Sequence, residues 1–234
     1  VNGAQDGEPM RAAPPMSDLI AGLYAAFGVV TALQARHRTG KGQIVESSLT
    51  NGLISMMAYL SAEYFATGII PSRTGNNHPI ASPYGLFRAS DGRVAVAPSN
   101  DVFVKRFLTL LDLEYLLDED KFCTNDQRMK NRDELLEIIN NVTEKQSVDH
   151  WIKVINEAGC PCGRTMDLKE VFEDPQVLAQ EMMLEVDHPG RGPVKMTGFP
   201  VKLSETPAKV HRPTPELGAD TSEVLGSLKF RERN

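Results

Sequence analysis

A single carboxylate, Asp18, stands at the start of a run of apolar and small residues whose spacing predicts a helix over 19–38. At a helix start the first backbone N–H groups lack partners within the helix, and the helix dipole favours negative charge. Asp18 can therefore cap the helix, which contributes about 1 kcal/mol. Alternatively, it can attack an activated carbonyl and carry a covalent intermediate. Taken alone, the local pattern favours the cap.

The elements around Asp18 follow from the residues on its C-terminal side. Gly40 and the basic residues before it predict the end of the helix, because glycine and cationic side chains suit a helix C-terminus. Residues 43–49 are predicted to form a short strand, and residues 51–68 have helical spacing. The helix would thus lead through a Gly-Lys-Gly turn into a buried strand.

The middle of the chain contains a loop, a hairpin and several helices. The loop over 71–83 contains Gly75, Asn76, Asn77 and His78, and Asp91-Gly92 between two apolar runs predicts a hairpin over 84–97. Periodicity and breakers predict the further helices 100–111, 131–143, 147–158, 167–172, 175–182 and 221–228, and strands at 184–187 and 194–196.

Composition excludes several classes of function. The 234 residues carry a formal net charge of −6, which provides no basic field for nucleic acid. No uninterrupted apolar run reaches about 18 residues, so no membrane partner is expected. The three cysteines, Cys123, Cys160 and Cys162, are an odd number that favours free thiols in a reducing compartment, and a cytoplasmic location is expected. The histidines have no partner cluster, so no metal site is predicted.

Short motifs occur in a fixed order along most of the chain. They are Asp18-x-x-x-Gly22, the stretch from Arg36 to Gln43, Gly75-Asn76-x-His78-Pro79-x-x-x-Pro83-Tyr84, Asp91-Gly92, Ala158-Gly159-x-Pro161-Cys162-Gly163, Asp174-Pro175-Gln176, His188-Pro189, Ser204-x-Thr206-Pro207 and Pro215-x-Leu217-Gly218. In this order the chain resembles the family III CoA-transferases, the CaiB/BaiF family. Val1 and the linker-like residues after it suggest the C-terminal part of such a protein, without its N-terminal portion.

The resemblance implies an α/β fold, with part of a Rossmann-like large domain and a smaller α+β domain. Residues 1–83 would be the large-domain segment that carries the catalytic-aspartate helix. Residues 84–183 would form the small α+β domain, and residues 184–234 would be a tail returning to the large domain. The resemblance also implies an interlocked homodimer.

The resemblance further implies that Asp18 is the nucleophile in transfer of CoA between an acyl-CoA thioester and a carboxylic acid, through an aspartyl-CoA thioester. The segment Gly75, Asn76, Asn77 and His78 corresponds to a loop that binds substrate over the active site. No permanently bound cofactor is expected, because the CoA thioester is itself a substrate. The donor and acceptor acids are left open.

Two alternatives to the transferase remain open at this point. A 2-methylacyl-CoA racemase of the same fold family would use the matching aspartate together with a histidine that lies before Val1. The motif from Asn76 to Tyr84 looks more like the transferases. From a different class, the chain could be a noncatalytic truncated fragment or an interaction module.

Overall fold

The computed structural model describes residues 1–228, and the contacts between Cα atoms divide the chain after Thr165. The first unit, Val1–Thr165, contains α1 (Met16–Thr39), α2 (Leu49–Met56), α3 (Ala58–Thr67), β1 (Gly85–Ala89), β2 (Gly92–Val96), α4 (Asp101–Leu110), a 3-10 turn (Glu114–Asp118), α5 (Asn125–Lys130), α6 (Arg132–Thr143), α7 (Val148–Glu157) and β3 (Cys162–Arg164). The unit from Met166 onwards contains α8 (Leu168–Glu173), α9 (Pro175–Ala179), β4 (Met183–His188), β5 (Gly192–Thr197) and α10 (Thr221–Ser227).

Helix α1 ends as its sequence predicts. Gly40 has a left-handed backbone, with φ of 72°, and its N–H donates to the carbonyl oxygen of Arg36. Most residues avoid that conformation because Cβ would clash, which explains the glycine. α1 packs against α2 where Gly52 meets Ile20, and a Cβ on Gly52 would lie only 3.1 Å from the Cγ2 atom of Ile20.

Most of the apolar surface of α1 is uncovered in this chain. Ile20 is its one buried residue within the described part, whereas Leu23 and Phe27 are each 70% exposed. An 18-residue window of α1 has a mean hydropathy of 1.6, so length and composition alone would allow the helix to cross a membrane. The core helix of a soluble protein passes the same test. The lack of a long uninterrupted apolar run is therefore no argument against a span, and the absence of a membrane partner stays a prediction.

The predicted strand over 43–49 does not form. A strand needs a neighbouring strand for its backbone hydrogen bonds, and none pairs with this segment among the described residues. The segment instead lies along α1, where the Ser47 hydroxyl donates to the carbonyl oxygen of Ala21 at 2.9 Å. A Cβ on Gly28 would lie 2.7 Å from Cγ1 of Val45, so glycine permits this close approach. Ile44 is left 88% exposed.

The predicted hairpin is confirmed as β1 and β2, which pair antiparallel with Gly85 opposite Val96 and Ala89 opposite Gly92. β3, which the sequence did not reveal, pairs antiparallel with β2 and completes a sheet of order β1-β2-β3. Helices α4, α6 and α7 cover this sheet with one apolar core. Its largest fully buried apolar side chains are Phe87, Phe107, Phe122, Leu108, Leu116, Leu135, Ile139 and Ile155.

The second unit is smaller and has little buried surface. β4 and β5 form an antiparallel hairpin, and Asp167 and Glu170 form a reciprocal capping box at the start of α8. Both sheets of the described residues are antiparallel. The division at 83/84 and 183/184 into large-domain segment, small domain and tail stays a prediction, and residues 229–234 of that tail lie outside the described residues.

Candidate functional site

Asp18 lies in the first turn of α1 and does not cap it. Pro15 is the N-cap residue, and no side chain accepts a hydrogen bond from the first backbone N–H groups. The Asp18 side chain is exposed, and its Oδ2 accepts a hydrogen bond from the Ser17 hydroxyl at 2.9 Å. The prediction that Asp18 caps the helix is therefore wrong, because its carboxylate makes no capping hydrogen bond. Only the weaker attraction between its charge and the helix dipole remains.

Two backbone N–H groups near Asp18 are free to bind an oxygen. The N–H groups of Met16 and Leu19 donate to the carbonyl oxygens of Pro14 and Pro15. Those of Ser17 and Asp18 have no acceptor among residues 1–228. A helix start of this kind can stabilise negative charge on an oxygen beside the carboxylate.

The segment from Gly75 to His78 forms a tight turn. Gly75 has φ of 58°, and its N–H donates to the carbonyl oxygen of Gly3 at 3.0 Å. The Asn77 N–H donates to the Thr74 carbonyl oxygen, and the Thr74 hydroxyl donates back to the Asn77 carbonyl oxygen at 2.7 Å. Asn76 lies exposed at the tip of this turn. The turn is thus closed on itself and tied to the N-terminal segment.

The ring of His78 stacks with two tyrosine rings. Its centroid lies 4.5 Å from that of Tyr84 and 5.7 Å from that of Tyr59, with interplanar angles of 25° and 22°. The His78 N–H donates to the Tyr84 carbonyl oxygen, and Nη2 of Arg132 donates to the His78 carbonyl oxygen at 3.1 Å. Burial, and then the nearby charge of Arg132, lower the pKa of His78 below its usual value of 6.5.

Two side chains of α5 hold the end of the same loop. Asn125 donates to the carbonyl oxygen of Ile80 at 3.0 Å and accepts from the Ser82 N–H at 3.2 Å. Arg128 is buried and donates from Nε to the Ser82 carbonyl oxygen at 2.7 Å. Sequence reasoning assigned neither residue a role, because their partners lie more than 40 positions away and no local pattern signals such a contact.

The structure does not join Asp18 to the segment from Gly75 to His78. No hydrogen bond, ion pair or ring contact links them among the residues that the structure describes. The connection between them is indirect. Tyr59, which stacks with His78, lies in α3, and the segment that precedes α1 accepts hydrogen bonds from Arg73 and from the Gly75 N–H. A single site that contains both stays a prediction.

The remaining candidate chemistry is weak. Burial raises the pKa of the Cys160 thiol to about 11, so it stays protonated, and burial also raises the pKa of Cys162. Within residues 1–228 no group of three or more His, Cys, Asp or Glu side chains is placed to hold a metal ion.

Comparison with solved structures defines the class of fold. A CAIB/BAIF family protein from Brucella suis matches with a TM-score of 0.75 and 30% identity, over 97% of this chain and 58% of that one. Rv3272 from Mycobacterium tuberculosis matches with a TM-score of 0.79 at 18% identity, over 93% of this chain and 57% of that one. These likenesses confirm the predicted fold class.

The family follows from the sequence itself. The family model for CoA-transferase family III matches residues 1–221, and the chain belongs to that family. It is 31% identical over 234 residues to the human succinyl-CoA:glutarate CoA-transferase, of which it covers 53%. It is 34% identical over 203 residues, or 86% of its length, to the acetyl-CoA:oxalate CoA-transferase of Acetobacter aceti, of which it covers 51%. The chain thus spans about half the length of these curated relatives.

Proposed function

We propose that the protein transfers CoA between an acyl-CoA thioester and a carboxylic acid, with Asp18 as the nucleophile. Membership of CoA-transferase family III supports CoA transfer in general, and the names of the relatives describe such transfers. The observation that supports Asp18 is local: its carboxylate is exposed, free of any capping hydrogen bond and next to two unpaired N–H groups. A carboxylate in that state can reach an acyl carbon.

In the proposed mechanism, each step is a transfer of an acyl group. A carboxylate oxygen of Asp18 attacks the thioester carbonyl carbon and expels CoA thiolate, which leaves a mixed anhydride. The thiolate attacks the aspartyl carbonyl carbon, forming aspartyl-CoA thioester and releasing the donor acid as its carboxylate. The acceptor carboxylate then displaces the thiolate to form a second anhydride. Finally, the thiolate attacks the acceptor acyl carbon, yielding the new acyl-CoA and restoring Asp18.

The free N–H groups of Ser17 and Asp18 support this chemistry. Negative charge develops on the acyl oxygen at each addition, and preorganised N–H donors stabilise it in the transition state. The Ser17 hydroxyl, which donates to Oδ2 of Asp18, orients the carboxylate. No cofactor beyond the CoA of the substrate is needed, because every step exchanges one acyl bond for another.

The uncovered surface of α1 supports an assembly larger than this chain. A helix that is apolar around most of its circumference is normally buried, and α1 exposes large apolar side chains on different sides, among them Leu23, Tyr24 and Val29. We propose that the protein forms a homodimer, in which the partner subunit buries part of this exposed apolar surface of α1. The three free thiols support a reducing, cytoplasmic setting.

Intact-protein mass spectrometry tests the covalent step directly. After incubation with succinyl-CoA or acetyl-CoA, we expect a CoA-sized adduct that maps to the peptide containing Asp18 and is lost on reduction with borohydride. The Asp18→Asn variant serves as the control, because its amide cannot attack the thioester. An adduct on another residue, or transfer without one, would contradict the mechanism. Deuterium uptake at C2 without an acceptor acid would instead indicate a racemase.

We also propose that the segment Gly75, Asn76, Asn77 and His78 contacts the substrate, and Gly85→Ala tests its placement. A Cβ on Gly85 would lie 2.7 Å from the carbonyl oxygen of Asn76 and 3.2 Å from Cα of Asn77, so the turn has to move. Because a displacement of about 1 Å can reduce a rate about 100-fold, we expect kcat/KM for transfer to fall by about 10-fold to 100-fold.

Gly163→Ala is the matched control for this prediction. Gly163 lies in β3 of the same sheet, and a Cβ there meets no atom within 4 Å. We expect this variant to keep the wild-type kcat/KM. Equal kcat/KM values for the two variants would show that the placement of the turn does not affect transfer.

A further inference from the structure

The ring of His78 has a fixed orientation. Tyr84 and Tyr59 stack with it at centroid distances of 4.5 and 5.7 Å, and its backbone is hydrogen-bonded to Tyr84 and Arg132. These contacts hold the plane of the ring. A half-turn about the Cβ–Cγ bond would keep that plane but exchange Nδ1 with a carbon, and the hydrogen bond that Nδ1 accepts from the Ile80 N–H opposes it. In a neutral ring, the hydrogen bond made by one nitrogen therefore determines whether the other nitrogen is a donor or an acceptor.

Nδ1 of His78 has to carry a lone pair. The backbone N–H of Ile80 donates to Nδ1 at 3.3 Å. A backbone N–H can only donate, so Nδ1 cannot itself bear a hydrogen while this bond exists. The ring is then neutral, and its one hydrogen lies on Nε2. Protonation of the ring would replace the bond to Ile80 by a repulsion between two N–H groups.

The surroundings of His78 favour this neutral form. The titratable or charged groups that face it are Tyr59 from α3, Tyr84 beside β1 and Arg132 from α6. None of these is a carboxylate that would stabilise an imidazolium ion, and Arg132 opposes one. Burial acts in the same direction and lowers the pKa of His78 from 6.5.

Nε2 of His78 is an unused donor. Among residues 1–228 it has no hydrogen-bond partner, and it is not one of the fully buried atoms that lack one, so a ligand atom can approach it. Buried donors in proteins normally have an acceptor within the fold. The Nε2–H group of His78 has none, and its ring is held in place, so it is already arranged to bind an acceptor from a ligand.

We infer that the Nε2–H group of His78 donates a hydrogen bond to an oxygen of bound substrate, either the thioester carbonyl or the acid carboxylate. This inference rests on the proposed CoA transfer, since both substrates of that reaction present such oxygens. A neutral donor stabilises charge on oxygen without giving up its proton, so the bond persists across neutral and alkaline pH. Preorganisation by the two tyrosine rings makes the donor effective in the transition state.

Three substitutions in the intact protein separate the donor from the ring. His78→Gln extends an amide N–H towards the position of Nε2. His78→Asn places an amide oxygen near Nδ1, where it can accept from Ile80, but has no distal donor. His78→Phe keeps the stacked ring and has no polar group. We expect kcat/KM for transfer to fall about 10-fold to 100-fold in the Asn and Phe variants, and less than about 5-fold in the Gln variant. A wild-type kcat/KM in His78→Asn would overturn the inference.

Nitrogen-15 NMR of the histidine rings provides a readout that does not depend on activity. We expect the Nε2–H tautomer for His78 at pH 7, assigned by the loss of its signals in His78→Gln. An Nδ1–H tautomer or an imidazolium ion at pH 7 would overturn the inference.

A failure of the proposed function can be told apart from a failure of this inference. If the wild-type protein neither transfers CoA nor forms an adduct at Asp18, the proposed function is wrong. The dissociation constant for succinyl-CoA then tests His78 alone, and equal values for the wild type and His78→Asn would overturn its donor role. If transfer and the Asp18 adduct are observed, the kcat/KM of His78→Asn decides.

Discussion

Replacing Asp18 by asparagine is expected to reduce CoA transfer by about 1,000-fold or more while the protein stays folded. The amide cannot form the anhydride, and loss of a covalent nucleophile typically has an effect of at least this size. The carboxylate makes no capping hydrogen bond and is exposed, so folding loses only its attraction to the helix dipole, about 0.3–1 kcal/mol. Steady-state transfer rates and thermal unfolding of the same samples measure both effects.

Asp167→Ala is the contrasting control for that variant, because it removes a capping carboxylate instead of the proposed nucleophile. Asp167 is also an aspartate at a helix start, but its side chain accepts from the Glu170 N–H within a capping box. We expect this variant to lose about 1 kcal/mol of stability and to keep its activity. The two aspartates should therefore show opposite patterns. Transfer by Asp18→Asn at the wild-type rate would contradict the assignment of the nucleophile.

Arg128→Ala is expected to have the largest effect on stability. The Arg128 side chain is only 2% exposed and donates to the carbonyl oxygens of Ser82 and Phe122 as well as to Asp101 at 2.6 Å. Truncation leaves carbonyl groups without donors and opens a cavity, which costs about 3–5 kcal/mol. In a chain of this size that loss lowers the melting temperature by about 10 °C.

The partner of Arg128 provides the contrast. The Asp101 side chain is 82% exposed, so water can replace the guanidinium when the pair is broken from that side. We therefore expect Asp101→Asn to cost at most about 1 kcal/mol. Similar losses of melting temperature in Asp101→Asn and Arg128→Ala would show that the ion pair, rather than the two carbonyl contacts, supports the loop.

Elements with a strong local signal could be predicted from the sequence. The Gly40 end of α1 and the Asp91-Gly92 hairpin depend on residues a few positions apart, and both were found as expected. The strand over 43–49 was wrong because its pattern shows a tendency to pair but not the presence of a partner. β3 was missed since three residues carry no detectable alternation, and its pairing with β2 depends on the whole core beneath it.

The candidate site shows the same division. The family motif pointed to Asp18 and to the segment containing His78, but it did not reveal that Asp18 leaves its helix uncapped. The contacts of Asn125, Arg128 and Arg132 to the loop were invisible in the sequence, because each joins residues 43 to 54 positions apart. Contacts across such distances are set by packing, which single-residue patterns do not encode.

The attachment of the His78 loop to α5 and α6 changes how sequence variants of this protein should be classified. Asn125, Arg128 and Arg132 lie in a helical corner that bears no recognisable motif, so substitutions there would ordinarily be scored as effects on folding alone. These side chains bind the backbone at Ile80, Ser82 and His78, and we propose that this segment contacts substrate. Mild substitutions among them are therefore expected to impair transfer in proteins that remain folded. A variant survey that measures only protein abundance would miss this group.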